Sequence, residues 1–160
     1  MFDGSERTFE CYVREDTATV IPFLDRDTIL LTKQDQPGRP TFWDIPGGRV
    51  DPGETIEQAV KRELVEETDY ISNDWMEWKR KDNQGMVRFS QGLFVTKNLQ
   101  KVTHENHEGG GERIVLVPTP WKEAVQRCLK GELRNETAML AIVGMEFDPE
   151  QRARLDAFLN

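Results

Sequence analysis

Three glutamates, Glu63, Glu66 and Glu67, are the side chains of this 160-residue sequence best suited by type and spacing to do chemistry. At about 100° per residue, Glu67 lies about 40° to one side of Glu63 and Glu66 about 60° to the other, so the carboxylates share one arc of a helix. Like charges at these spacings repel, and acids in a last turn face the negative end of the helix dipole. A hard divalent cation offsets that cost, because Mg²⁺ and Mn²⁺ take carboxylate and water oxygens and keep positions open for phosphate oxygens. The competing reading is a solvated acidic helix end, the commoner origin of an arbitrary glutamate triplet.

The helix that must present them spans residues 55–68, a run of helix formers without a breaker after the turn at Pro52 and Gly53. Ile56, Ala59 and Val60 mark its apolar face, and positions 63, 64 and 67 continue that face, so two of the glutamates interrupt an apolar stripe. Upstream, Phe9, Cys11 and Val13 alternate with polar neighbours, and residues 18–24, 29–32 and 42–45 read as strands. Pro37, Gly38 and Pro40 mark a loop between the last two. Downstream, residues 75–81, 87–97 and 113–117 read as strands, 98–111 as a polar loop, and 121–130, 136–145 and 149–159 as helices. The pattern predicts one domain over residues 1–160 of α/β (α+β) class, a mixed β-sheet flanked by helices.

Composition narrows the function. With 37% hydrophobic and 31% charged residues the chain is neither disordered nor membrane-spanning in type, and residues 1–10 lack the features of a signal peptide. A cytoplasmic location is expected. A net charge of −8 argues against nucleic-acid polymers and anionic membranes, though not against a small phosphate substrate bridged by cations. Cys11 and Cys128 form no CxxC pair and are expected to be buried apolar fillers.

Gly48, Glu54, Arg62, Glu63, Leu64, Glu66 and Glu67 stand at the spacings of the Nudix box, and on these residues the chain resembles the Nudix hydrolase family. Leu64 fills a position open to any apolar residue, and the other six are fixed identities that coincide by chance roughly once in ten million starting points. The resemblance implies an α/β/α sandwich and hydrolysis of a diphosphate link by water, assisted by Mg²⁺ or Mn²⁺. It implies a metal held by Glu63, Glu66, Glu67 and the backbone carbonyl near Gly48, with Glu66 and Glu67 in the catalytic centre and Glu54 and Arg62 bracing loop against helix. The family's general base is often a downstream glutamate; Glu112, after Gly109–Gly111, is the candidate, with Glu105 and Glu108 as rivals. Asp69 stands where the box has a glycine, which predicts a left-handed helix cap at a cost of about 1 kcal/mol.

Outside the box, Phe2-Asp3-Gly4, residues 30–34, Ile45-Pro46-Gly47-Gly48, Gly131-Glu132-Leu133 and Asn135-Glu136-Thr137 resemble the ADP-ribose pyrophosphatase branch. That likeness implies a small nucleotide substrate such as ADP-ribose or another nucleotide sugar, and a homodimer formed through the N-terminal strands. Gln36 stands where the branch commonly has an arginine, which leaves other nucleotide sugars or triphosphates open; Arg39 is the candidate replacement. Arg39, Trp43 and Arg49 are the candidate substrate contacts, and Phe42 with Trp43 could stack on a base or belong to the core. His104 and His107 receive no role. The alternatives are a nucleoside triphosphate pyrophosphatase of the same fold and a non-catalytic nucleotide-binding module; intact glutamates disfavour the module.

Overall fold

A computed structural model describes residues 6, 8–35, 37–103 and 113–160. In chain order its elements are β1 (Tyr12–Val13), β2 (Thr17–Asp25), β3 (Thr28–Asp35), β4 (Phe42–Asp44), β5 (Gly47–Arg49), α1 (Ile56–Thr68), β6 (Tyr70–Ile71), β7 (Asp74–Gln84), β8 (Val87–Lys97), β9 (Gln100–Lys101), β10 (Arg113–Pro120), α2 (Trp121–Leu129), α3 (Glu136–Phe147) and α4 (Pro149–Leu159).

The main sheet runs β1-β8-β2-β3-β10, with β7 beside β8, β5 beside β2 and β4 beside β3. It is mixed: β8 lies parallel to β1 and β2, whereas the other pairs are antiparallel. The central strands are apolar on both faces because both are covered. On β2, Ala18 and Val20 pack with Ile56, Ala59, Val60 and Leu64 of α1, whereas Ile21 and Phe23 join Trp121, Val125 and Ile142 of the C-terminal helices. On β8, Phe94 faces α1 while Leu93 and Val95 face the other layer. Each such large side chain contributes about 1.5–3 kcal/mol of burial. The layers are therefore α/β/α, as expected.

The helix carrying the glutamates is fixed at both ends. Thr55 Oγ1 accepts the Gln58 N–H at 3.2 Å and Gln58 Oε1 accepts the Thr55 N–H at 2.8 Å, a reciprocal capping box. At the other end Asp69 has φ 58° and ψ 28°, and its N–H donates to the Val65 carbonyl. Asp thus adopts the left-handed cap that the box usually gives to glycine.

Two expectations need correction, and one strand was not expected at all. The first strand is only Tyr12–Val13, and Phe9, Tyr12 and Val13 are exposed rather than packed on a core face. Residues 47–49 form a strand despite two glycines, since β2 supplies the pairing partners. Cys11 is exposed rather than buried; only Cys128 is an apolar filler, and burial pushes its thiol up to about 12. Among the described residues no helix is long and apolar enough to cross a membrane.

Candidate active site

Strand β5 brings the glycine pair against α1. Thr17, Ala18 and Thr19 of β2 pair with Arg49, Gly48 and Gly47, and the C-terminal half of α1 lies over this ladder. A Cβ at Gly48 would stand 2.3 Å from Glu63 Oε1, so the glycine leaves room for the Glu63 carboxylate to lie where it does. Glu67 Oε2 accepts the Gly47 N–H at 2.9 Å. Loop, strand and helix are therefore locked at the two box glutamates that interrupt the apolar stripe.

Arg62 organises the rest. Its Nε and Nη2 donate to the two oxygens of Glu54 at 3.1 and 3.0 Å, and Nη2 also donates to the Arg49 carbonyl at 2.9 Å. Nη1 donates to Glu63 Oε1 and Glu66 Oε2, both at 2.9 Å. Arg62 holds the Glu54 carboxyl below the usual carboxylate range, and these contacts in turn raise the guanidinium. For Glu63 burial wins: its side chain is 13% exposed, and desolvation raises the carboxyl despite the Arg62 contact. Glu66 is 44% exposed and faces outward.

The three glutamates share a helix face but do not converge as a ready cage. Among the described residues no three His, Cys, Asp or Glu side chains are grouped to hold a metal ion, because Arg62 draws Glu63 and Glu66 to itself and the Gly47 N–H takes an oxygen of Glu67. The donor chemistry nevertheless suits a hard cation: all ligands are carboxylate oxygens, and Glu63 and Glu67 line a cleft with Gly47 and Gly48. Holding an ion would require Glu63 and Glu66 to turn from Nη1, while Glu54 keeps the rest of the guanidinium in place.

That cleft has a volume of about 500 Å³, and its walls include Arg14, Gln34, Phe42, Asp44, Arg49 and Arg134. A second lobe of about 490 Å³ shares Arg14, Asp44, Phe89, Gln91, Arg134 and Asn135 with it, and is lined beyond them by Lys81, Asn83, Glu136 and Thr137. The Arg14 guanidinium rests 4.5 Å over the Phe89 ring, and that of Arg134 4.8 Å over Phe42.

Of the sequence candidates, Glu63, Glu67, Gly48 and Arg49 line the cleft, Glu66 stands beside them on α1, and Glu54 and Arg62 are paired. Trp43 does not line it; its ring packs on the core beneath Arg127, 4.0 Å away. Arg39 is exposed in the turn before β4 and is not part of the lining. Glu112, Glu105, Glu108, His104 and His107 lie outside the described residues. Sequence reasoning missed Arg14, Asp44 and Arg134. The one available signal was Asp44, an acid inside the otherwise apolar segment 42–45.

Burial pushes the Asp44 carboxyl from 3.8 up to about 6, against the Ile45 N–H, which donates to Oδ1 at 2.9 Å, and the nearby Arg134 charge. The folded chain therefore holds that proton more tightly than the unfolded chain. The stability contribution present below about pH 4 is lost as pH rises through about 6. Asp44→Asn is expected to stabilise the fold at pH 7 by on the order of 2 kcal/mol and to have no effect below pH 4. Urea midpoints of both proteins from pH 4 to 8 check this.

Comparison with known proteins gives a consistent family signal. The model of the NUDIX domain matches residues 13–134. A curated relative from Bacillus subtilis (strain 168), a putative 8-oxo-dGTP diphosphatase, is 52% identical over 54 residues. That match takes in 33% of this chain and 34% of the relative, so the chain spans about a third of the relative's length. The crystal structure of an ADP compounds hydrolase superposes with TM-score 0.72 at 20% identity, covering 94% of this chain and 83% of that one. A MutT structure, from work on the Aliivibrio salmonicida and Vibrio cholerae proteins, gives TM-score 0.57 at 22% identity, covering 82% and 97%. At these identities the two structures show the fold alone.

Proposed function

The chain belongs to the NUDIX domain family, and on that premise we propose that it is a divalent-cation-dependent hydrolase cutting the diphosphate link between a nucleoside and a second moiety, such as ADP-ribose or another nucleotide sugar. The observation that carries the reading is one cleft lined by the box acids Glu63 and Glu67 together with Arg14, Arg49 and Arg134. Acids that suit a cation and arginines that suit phosphate oxygens share one wall system.

Glu63, Glu66 and Glu67 would hold Mg²⁺ or Mn²⁺, which when bound neutralises charge on the phosphate oxygens and lowers the pKa of water. The chain's own residues position the substrate. Arg49 donates hydrogen bonds to its diphosphate oxygens, and the Glu54–Arg62 pair keeps α1 in register with β5. In the reaction a water oxygen bonds to one phosphorus, the bridging P–O bond breaks, the bridging oxygen leaves on the other phosphate, and the water proton passes to a base. Glu112 is the proposed base. Two phosphate monoesters result.

A second reading, a nucleoside triphosphate pyrophosphatase, draws support from the Bacillus subtilis relative, whose name is putative 8-oxo-dGTP diphosphatase. The purified chain with Mg²⁺ or Mn²⁺ is to be offered ADP-ribose, other nucleotide sugars and triphosphates. The first reading expects AMP from ADP-ribose; pyrophosphate from triphosphates alone would replace it with the second. No turnover of any compound would leave a binding module.

A further inference from the structure

We propose that Arg14 and Arg134 form an anion clamp where the two lobes of the cleft meet, selecting diphosphate substrates whose second half carries a negative group of its own, such as a further phosphate. The inference rests on the hydrolase reading above and extends it to what lies past the scissile link.

Both arginines are held ready for a ligand. The Arg14 N–H donates to the Arg88 carbonyl at 3.1 Å and the Arg134 N–H to the Trp43 carbonyl at 2.9 Å, so the two backbones are tied to β8 and β4. Each guanidinium lies on an aromatic ring, which fixes it while leaving its N–H edge available. Less rotamer freedom remains to be lost when an anion binds.

Neither guanidinium has a carboxylate within the 4.0 Å of an ion pair among the described residues. Arg26, Arg62, Arg80, Arg127 and Arg152 take carboxylate partners, whereas Arg14 and Arg134 are among the arginines that do not and are the two of these stacked on rings at the junction of the lobes. Among the described residues the acid that faces them is Asp44, whose carboxyl feels the Arg134 charge without a direct ion pair.

The second lobe reverses the charge balance of the whole molecule. Lys81 adds a third cation to the two arginines, against Asp44 and Glu136 as its acids. It excludes Glu63, Glu67 and the glycine pair, so it lies beyond the diphosphate site and receives the other half of a two-ended substrate. A positive lobe on a chain of net charge −8 favours an anionic group there. A charge-assisted guanidinium–phosphate bond corresponds to about tenfold to a hundredfold in affinity.

The test compares kcat/KM with Mg²⁺ for two compounds sharing an adenosine diphosphate half: one ending in an uncharged sugar, the other in the same sugar bearing a phosphate. The parent protein is expected to favour the phosphorylated compound by about tenfold or more, and Arg14→Gln and Arg134→Gln each to reduce that ratio by about tenfold. The ratio cancels any general loss of folded or active protein, and both side chains are exposed, so the variants should fold. No preference in the parent, or an unchanged ratio in both variants, overturns the clamp. If the parent cleaves neither compound, the hydrolase reading fails and the clamp is judged on binding alone. Calorimetry with the phosphorylated compound, without metal, should then show affinity about tenfold weaker in each variant, and equal affinity overturns the proposal.

Discussion

Glu67→Gln is expected to lower kcat/KM by about a thousandfold, equivalent to about 4 kcal/mol of transition-state stabilisation, while leaving the fold intact. The substitution separates two roles of one side chain. Glu67 Oε2 accepts the Gly47 N–H at 2.9 Å, and the amide oxygen of Gln can accept the same bond, so β5 stays joined to α1. What disappears is a negative charge at the cleft wall beside Glu63. Steady-state kinetics, paired with thermal unfolding of parent and variant, check the prediction. A loss below about tenfold would mean that the charge of Glu67 does not serve the reaction.

Gly47→Ala is expected to destabilise the fold by about 3 kcal/mol or more and to abolish activity with it. Gly47 has φ +149°, a backbone conformation that residues with a Cβ rarely adopt. A Cβ there would stand 2.3 Å from the Ala18 carbonyl oxygen and 2.6 Å from Thr19 Cα. Both are backbone atoms of the central strand β2 and cannot give way cheaply. If β5 moves off β2, the Gly47 N–H leaves Glu67 and Gly48 leaves Glu63, so the site is lost with the strand. Gly144→Ala is the control, because its Cβ would meet only the end of the Gln151 side chain, which can swing aside, and its own position is helical. Urea unfolding of the two variants should differ by about 3 kcal/mol or more; equal midpoints would show that β5 is not wedged.

The legible parts of this molecule are those written in local spacing. The helix bearing Glu63, Glu66 and Glu67 announces itself through the turn at Pro52 and Gly53, an unbroken run of helix formers and an apolar stripe along its length. Its deviant cap, Asp69, takes the left-handed conformation expected of it. The C-terminal helices and long strands follow from periodicity. The parts that escaped depend on distant pairing. Residues 47–49 have poor strand propensity and become a strand because Thr17–Thr19 lie beside them. Arg14 reaches the cleft through the parallel pairing of β1 with β8, and Arg134 through its backbone bond to Trp43. No local pattern links positions 14, 44 and 134. The sharing of Glu63 and Glu66 by Arg62 was also invisible, because spacing puts carboxylates on one face without saying which cation they choose.

The most direct measurement is Mn²⁺ uptake, followed by calorimetry in the parent, Glu63→Gln and Glu67→Gln proteins with a non-hydrolysable diphosphate present. If these glutamates hold the ion, the parent binds Mn²⁺ saturably and each variant binds it at least about tenfold more weakly while keeping its fold. Absence of uptake by the parent, or equal uptake by all three, would contradict the assignment of the site.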